Sequence, residues 1–283
     1  MALATEIARN IETALAEDIG TGDLTAGLIA AEKIATATVI SRDAAVLCGT
    51  AWFEACFRRL DPQVEIKWLA QDGDHVTPDQ VLCRIEGQAR ALLSAERPAL
   101  NFLQTLSATA TATRRYVDAI QGTSAVIMDT RKTLPGLRLA QKYAVKTGGG
   151  ENQRVGLFDG ILIKENHILA AGGIAAVLKQ AHRAAPPGVS VQIEVESLDE
   201  LEQALSAGAR LILLDNFSLA DMRLAVVTTA RRALLEASGG ITLERVRAIA
   251  ETGVDRISIG SLTKDIQAVD LSMRVDLSMR VVL

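Results

Sequence analysis

The sequence predicts an α/β protein: an N-terminal α+β domain built on an antiparallel sheet, followed by an incomplete (β/α) barrel. Three observations lead there. Strand-like runs crowd residues 34–86, separated by short turn signals. After residue 120 apolar strands alternate with helical segments at the spacing of βα units, which gives a parallel sheet. Reactive residue types then gather where those strands end, as at the mouth of a barrel. The expected division is 1–108, joined by the C-terminal 267–283, and a barrel over 109–266.

Taken in order, Ile7, Ile11, Leu15 and Ile19 recur every fourth residue and predict an amphipathic helix over 5–19. The following EDIGTGDLT superficially resembles an acidic phosphate loop. That loop needs a buried strand directly before it, and here a helix precedes it, so a structural turn is expected. ATATVISR, AVLCG, VEIKWLA and VLCRIEG read as strands, with WFEACFRRL a short helix among them. The hairpin QDGDHVTPDQ resembles those of lipoyl carriers but has no lysine at its tip, and its His75 is expected to be solvated. A helical region from Ala91 to Ile120 links the two domains. Barrel strands are expected at 125–128, 160–163, 189–195, 210–214, 233–236 and 256–259, with helices near 137–146, 172–184, 198–207, 219–231 and 242–252. Six strands do not support a full eight-stranded barrel. The chain ends in two adjacent copies of DLSMRV, 270–275 and 276–281, expected to extend an edge strand or fray.

Hydrophobic residues make up 49% of the 283, charged residues 23% and aromatics 3%, a balance that suits an Ala, Leu, Ile and Val core. No apolar run approaches the roughly 20 residues needed to cross a bilayer. The N-terminal stretch has acidic residues and no basic region leading into an apolar block, so no export signal is expected. Cys48, Cys56 and Cys83 have no metal-like spacing and are odd in number, which predicts buried thiols in a reducing cytoplasm.

Chemistry concentrates between Asp129 and His167. Seven basic and four acidic side chains make this stretch net +3 in a chain of net charge −4. A cationic island in an acidic protein predicts a focused anion site and argues against a nucleic-acid surface. Arg138, Lys142 and Lys146 have the spacing of a solvated helix face. Arg131, Lys132 and Lys164 instead follow apolar strands directly, and with Arg154 could bind a multiply anionic substrate. Arginine forks match carboxylates in a way lysine cannot. Glu194 and Asp215, ending successive strands, suit ribose hydroxyls or Mg²⁺. ASGG at 237–240 and SIGS at 258–261 could form a backbone phosphate cradle at Ser238, Gly239 and Gly260.

DTRKTLPGLR, KYAV, GGGENQR, GLFD and LIKENHI, ordered between Asp129 and Ile168, resemble quinolinate phosphoribosyltransferases, and weaker likeness covers nearly the whole chain. The resemblance implies a seven-stranded incomplete barrel, with the seventh strand unplaced. It implies joining of the quinolinate ring nitrogen to C1 of phosphoribosyl pyrophosphate, loss of pyrophosphate, and departure of the 2-carboxylate as CO₂ to give nicotinate mononucleotide. Thr130, Arg131, Lys132, Gln153, Arg154 and Lys164 then fall on dicarboxylate and phosphate contacts, and Ser238, Gly239 and Gly260 on the 5′-phosphate. Lys132, Glu194 and Asp215 fall on catalytic positions, the two carboxylates also on the Mg²⁺ site. Arg97 falls on an arginine supplied by the neighbouring subunit of a homodimer. The family usually has His where this chain has Gln153, which can donate a hydrogen bond but cannot become a cation. His167 is expected to be a structural group near the rim. A non-catalytic anion-binding protein on the same fold would not need the Glu194 and Asp215 pair.

Overall fold

Apolar spacing turns Leu3–Ile19 into helix α1, which buries Ile11 and Leu15. The computed structural model describes residues 3–278. The expected turn follows: Asp23 accepts the backbone N–H groups of Thr25 and Ala26 at 2.9 Å and the Ser94 hydroxyl at 2.7 Å. The Ala26 N–H, then Ser94, hold the Asp23 carboxyl below the ordinary range. Strands β1 (Ile34–Ser41) and β2 (Ala45–Val46) come next, then helix α2 (Thr50–Leu60) and β3 (Glu65–Trp68). They are followed by β4 (His75–Val76), β5 (Val81–Gln88) and the long helix α3 (Ala89–Ala119). On β1 every second residue is buried, as strand periodicity requires of a sheet with one face on a core.

The rest of the chain alternates. Strand β6 (Val126–Met128) leads to α4 (Arg138–Thr147), β7 (Gly160–Ile163), α5 (Glu165–Ala171) and α6 (Ile174–Ala184). Then come β8 (Ser190–Val195), α7 (Leu198–Ser206), β9 (Leu211–Asp215), α8 (Leu219–Thr229) and β10 (Leu234–Ser238). Helix α9 (Leu243–Ala250), β11 (Arg256–Ser258), α10 (Ser261–Lys264) and β12 (Leu271–Asp276) complete the described chain. Serines cap two crossover helices: Ser197 accepts the Glu200 N–H at 3.2 Å and Ser218 that of Asp221 at 3.1 Å.

Two units result. One runs to Ala112 and takes in Leu134–Gly148 and the segment from Asp265 onward. Its antiparallel sheet has the order β12-β1-β5-β3, beside a two-stranded β2-β4 ribbon in which His75 is exposed. The first DLSMRV copy therefore supplies an edge strand, with Thr36 opposite Asp276 and Ser41 opposite Leu271. The second copy begins at Asp276 and runs beyond the described residues. Trp52, Phe53 and Phe57 fill the core, where the Tyr143 ring lies 5.5 Å from that of Trp52. Ala140 and Ala144 join the same core, so α4 packs in this unit although its residues fall inside the barrel range expected from sequence. That also corrects the solvated reading for Lys142, which is 1% exposed because its neighbours on the helix face an apolar core; Lys146 is exposed as expected and Arg138 partly so.

The other unit comprises Thr113–Thr133 and Gly149–Lys264. Its six parallel strands are the six expected, in the order β6-β11-β10-β9-β8-β7. The first strand of the series thus pairs with the last, which wraps the sheet round, while β6 and β7 do not pair. Into that gap runs the segment after Gly149. It touches β6 through one parallel bridge, Met128 with Glu151, closed by hydrogen bonds of 3.1 Å and 2.8 Å. This vestige is what stands at the unplaced seventh position, and the barrel is incomplete. The expected helix near 172–184 is α6, and a further short helix, α5 from Glu165, precedes it. Gly172 (φ +83°) and Gly173 (φ +126°) interrupt them in conformations that side chains resist. Among the described residues no helix is long and apolar enough to cross a membrane.

Cys48, Cys56 and Cys83 are buried and unbonded. Burial pushes the Cys56 and Cys83 thiols up to about 12 and Cys48 well above its ordinary value. At pH 8 the thiolate fraction of Cys56 and Cys83 is then on the order of one in ten thousand. A thiol reagent should leave the native protein unlabelled at that pH and titrate three groups only after denaturation; rapid native labelling would contradict this packing.

Candidate active site

Parallel strands bring their C-terminal ends to one edge, and period two decides which side chains share a face there. In register, Glu194 lies beside Leu213, and Leu213 beside Glu236; one step further on, Asp215 lies beside Ser238. Glu194, Asp215, Glu236 and Ser238 therefore occupy one face of three neighbouring strands. Gly260 follows Ser258, which pairs with Met128, and so lies beyond the end of β11 near Thr130.

The segment after β6 is held by its own backbone. Thr130 Oγ1 accepts the Lys132 N–H at 3.0 Å, and the Lys132 carbonyl accepts the Thr263 hydroxyl at 2.7 Å. The lysine side chain lies against Gly260, where a Cβ would meet Lys132 Cδ at 3.0 Å and Nζ at 3.8 Å. A cation thus stands at the glycine expected to hold phosphate. Gly239 is equally constrained: at φ +104° an added Cβ would lie 2.1 Å from Asn216 Oδ1. Asn216 itself has φ +56°, donates its backbone N–H to the Ser238 carbonyl at 3.0 Å, and donates Nδ2 to Asp215 at 2.8 Å. Asn216 thereby links the Asp215 carboxylate to the Ser238–Gly239 turn.

Arg131 and Arg154 are half-buried. Burial first, and then the charge of Arg131, hold the Arg154 guanidinium below its ordinary value, with Asp159 opposing. The two guanidinium groups are therefore close enough for each to feel the other's charge. Arg154 Nη1 donates to the Gly160 carbonyl at 2.9 Å, and Asp159 accepts from Val155 and Gly156 at 2.7 Å and 2.8 Å, bracing the loop. Lys164 is paired with one of the two carboxylates. Its ammonium lies 2.8 Å and 3.1 Å from the Glu194 oxygens, with side chains 46% and 10% exposed, a pairing worth at most about 1 kcal/mol. His167 Nδ1 accepts the Lys164 backbone N–H at 3.0 Å, so its place is at the start of α5. Arg97 is exposed on α3, in the first unit.

Sequence reading passed over Glu236 and Gln192. Glu236 is 1% exposed, and its carboxylate accepts from Gln153, from Gln192 at 3.0 Å and from the Ser258 hydroxyl. The available signal was period two: Glu236 lies two residues before Ser238 and Gln192 two before Glu194, polar side chains on the same face inside apolar strands.

Barrel strands that end in guanidinium and ammonium groups beside paired carboxylates define an α/β-barrel enzyme for anionic substrates. Comparison with known proteins sharpens this. Residues 23–107 match the quinolinate phosphoribosyl transferase N-terminal domain and residues 109–274 the C-terminal domain. The probable nicotinate-nucleotide pyrophosphorylase [carboxylating] of Bacillus subtilis is 43% identical over 262 residues, 93% of this chain and 91% of that protein. The Mycobacterium leprae nicotinate-nucleotide pyrophosphorylase [carboxylating] is 40% identical over 273 residues, covering 93% and 95%. The solved nicotinate-nucleotide pyrophosphorylase from Francisella tularensis superposes with a TM-score of 0.94 at 45% identity, covering 98% of each chain. The chain belongs to the quinolinate phosphoribosyltransferase family.

Gly239→Ala should lower the unfolding free energy by about 3 kcal/mol, since both φ and Asn216 oppose a side chain, against about 1 kcal/mol for Gly240→Ala, whose Cβ would meet nothing within 4 Å. Urea unfolding of the pair checks this; equal losses would show that Asn216 yields.

Proposed function

We propose that this chain catalyses decarboxylating phosphoribosyl transfer from phosphoribosyl pyrophosphate to quinolinate, giving nicotinate mononucleotide, pyrophosphate and CO₂ in NAD biosynthesis. The observation that carries the reading is the gathering of Arg131, Lys132, Arg154 and Lys164 with Glu194 and Asp215 at the strand ends of a family member. Each charge-assisted hydrogen bond to a substrate anion is worth roughly 1.5–3 kcal/mol. The Arg131 and Arg154 forks suit the pyridine carboxylates, and Lys132 with Thr130 suits phosphate. The amides around Ser238, Gly239 and Gly260 suit the 5′-phosphate, where side chains would block approach.

Departure of pyrophosphate leaves positive charge on the sugar, and Glu194 and Asp215, already fixed at strand ends, stabilise it without reorganisation. The ring nitrogen supplies the new bond to C1. Its positive charge then accepts the electron pair left when CO₂ departs, and a proton takes the carboxylate's place. No side-chain nucleophile is required; holding two anions together is most of the catalysis.

Among the described residues no three Asp, Glu, His or Cys side chains form a metal cage. Two carboxylates on adjacent strands fit a Mg²⁺ that arrives with a diphosphate and keeps part of its water shell. Glu194 and Asp215 would hold it, and it would neutralise the departing pyrophosphate. The same reading makes the active form a homodimer with shared sites, Arg97 coming from the partner copy. The reaction then belongs in the cytoplasm.

Purified protein should release CO₂ from quinolinate only with the pyrophosphate donor and Mg²⁺ present; turnover of nicotinate in place of quinolinate would overturn the assignment. Arg131→Lys keeps charge but loses the fork, and should cut kcat/KM by at least about tenfold. Arg97→Ala and Arg131→Ala should each be nearly inactive, yet isolated mixed dimers should recover about half the wild-type rate, since both defects fall in one site. Mixed dimers as inactive as their parents would place Arg97 in its own chain's site.

A further inference from the structure

The resemblance implies a histidine where this chain has Gln153, and the sequence suggests that the glutamine amide could donate to the substrate. The structure directs it elsewhere. A glutamine amide has two donor hydrogens. In this chain Gln153 Nε2 donates both inward, to the buried Glu236 carboxylate and to Gln192 Oε1 at 3.2 Å. Its Oε1 accepts the Arg154 backbone N–H at 3.2 Å, and its own N–H is taken by Asp129 Oδ1 at 2.8 Å.

Glu236 is the centre of this arrangement. One oxygen accepts from Gln153 and from Gln192, the other from Ser258. These donors sit on the bridge segment, on β8 and on β11, while Glu236 is on β10. A carboxylate 1% exposed is stable in such a place only if donors satisfy it. The bridge segment is joined to β6 by one parallel bridge and by the Gln153 N–H to Asp129, and the Glu236 contact adds a tie from its side chain into the barrel interior. Arg154, the next residue along it, is one of the two mutually repelling guanidinium groups.

We propose that Glu236 is a positioning residue: through Gln153 it fixes the bridge segment so that Arg154 presents its fork to the acid substrate, and Gln153 itself makes no substrate contact. This rests on the quinolinate reading above. Glu236 tunes recognition of the acid and leaves recognition of the phosphoribosyl donor to Lys132, Thr130 and the amides around Ser238, Gly239 and Gly260.

Steady-state kinetics of Glu236→Gln and Glu236→Leu test the idea, with circular dichroism to confirm folding. The amide can still accept from Gln153 and Gln192 and can donate to the Ser258 hydroxyl, so Glu236→Gln should hold the quinolinate KM within about threefold. Glu236→Leu cannot accept, and should raise that KM by at least about tenfold while the donor KM stays within about twofold. Should Glu236→Leu fail to fold, Ser258→Ala, which withdraws one donor from Glu236, should raise the quinolinate KM several-fold with the donor KM again unchanged. A quinolinate KM that does not move in folded Glu236→Leu or in Ser258→Ala, or donor and acid KM values that rise together, would overturn the proposal. Wild-type protein is the control: if it does not turn over quinolinate, the functional reading fails, whereas active wild type with indifferent variants refutes only the role of Glu236.

Discussion

Parallel pairing is the constraint on which this protein's chemistry depends. Strands that all run one way must be joined by crossovers, and their C-terminal ends must then meet at one edge. Once Glu194 is set beside Leu213 and Asp215 beside Ser238, residues from three separate βα units lie within one small region. No single stretch of chain could assemble them. Because side chains alternate along a strand, a shift of one residue would turn the acidic pair into the helix layer and bring Ile193 and Leu214 into its place.

Charge is balanced locally within that edge. The stretch richest in cations carries Arg131, Lys132, Arg154 and Lys164 onto it, and the strands beyond supply carboxylates. Lys164 and Glu194 satisfy each other, Asp215 is held by Asn216, and Arg154 feels the charge of Arg131 with Asp159 opposing it. An edge arranged in this way is poised to gain from an incoming dianion more than an exposed lysine face would. Beneath it, Glu236 carries negative charge into the barrel interior, where three side-chain donors meet it.

The first unit has the ordinary logic of an antiparallel sheet covered on one face. Its aromatic core around Trp52 is completed by α4, from the middle of the sequence, and its sheet edge by β12, from near the end. The chain therefore returns twice to a unit it has already left. Ala140, Ala144 and Tyr143 explain the first return, since their helix face is apolar enough to serve that core. Leu271, which is buried, serves the second.

The sequence alone determined the two kinds of sheet, all six barrel strands, and the strand-end residues at which chemistry was expected. Each of those signals is local: apolar periodicity, turn residues, and charges placed directly after apolar runs. The family motifs are equally local, which is why forty residues sufficed to point to the reaction. Tertiary structure decided what local pattern cannot. It placed α4 in the first unit and buried Lys142, because which core a helix face meets depends on segments far away in the chain. It paired Lys164 with Glu194 across thirty residues. It turned Gln153 toward Glu236, a contact spanning 83 positions and set by the closing of the strands around a shared interior. Hydrogen bonds of that kind are fixed by the curvature of the sheet, and a sequence carries no record of curvature until the strands have met.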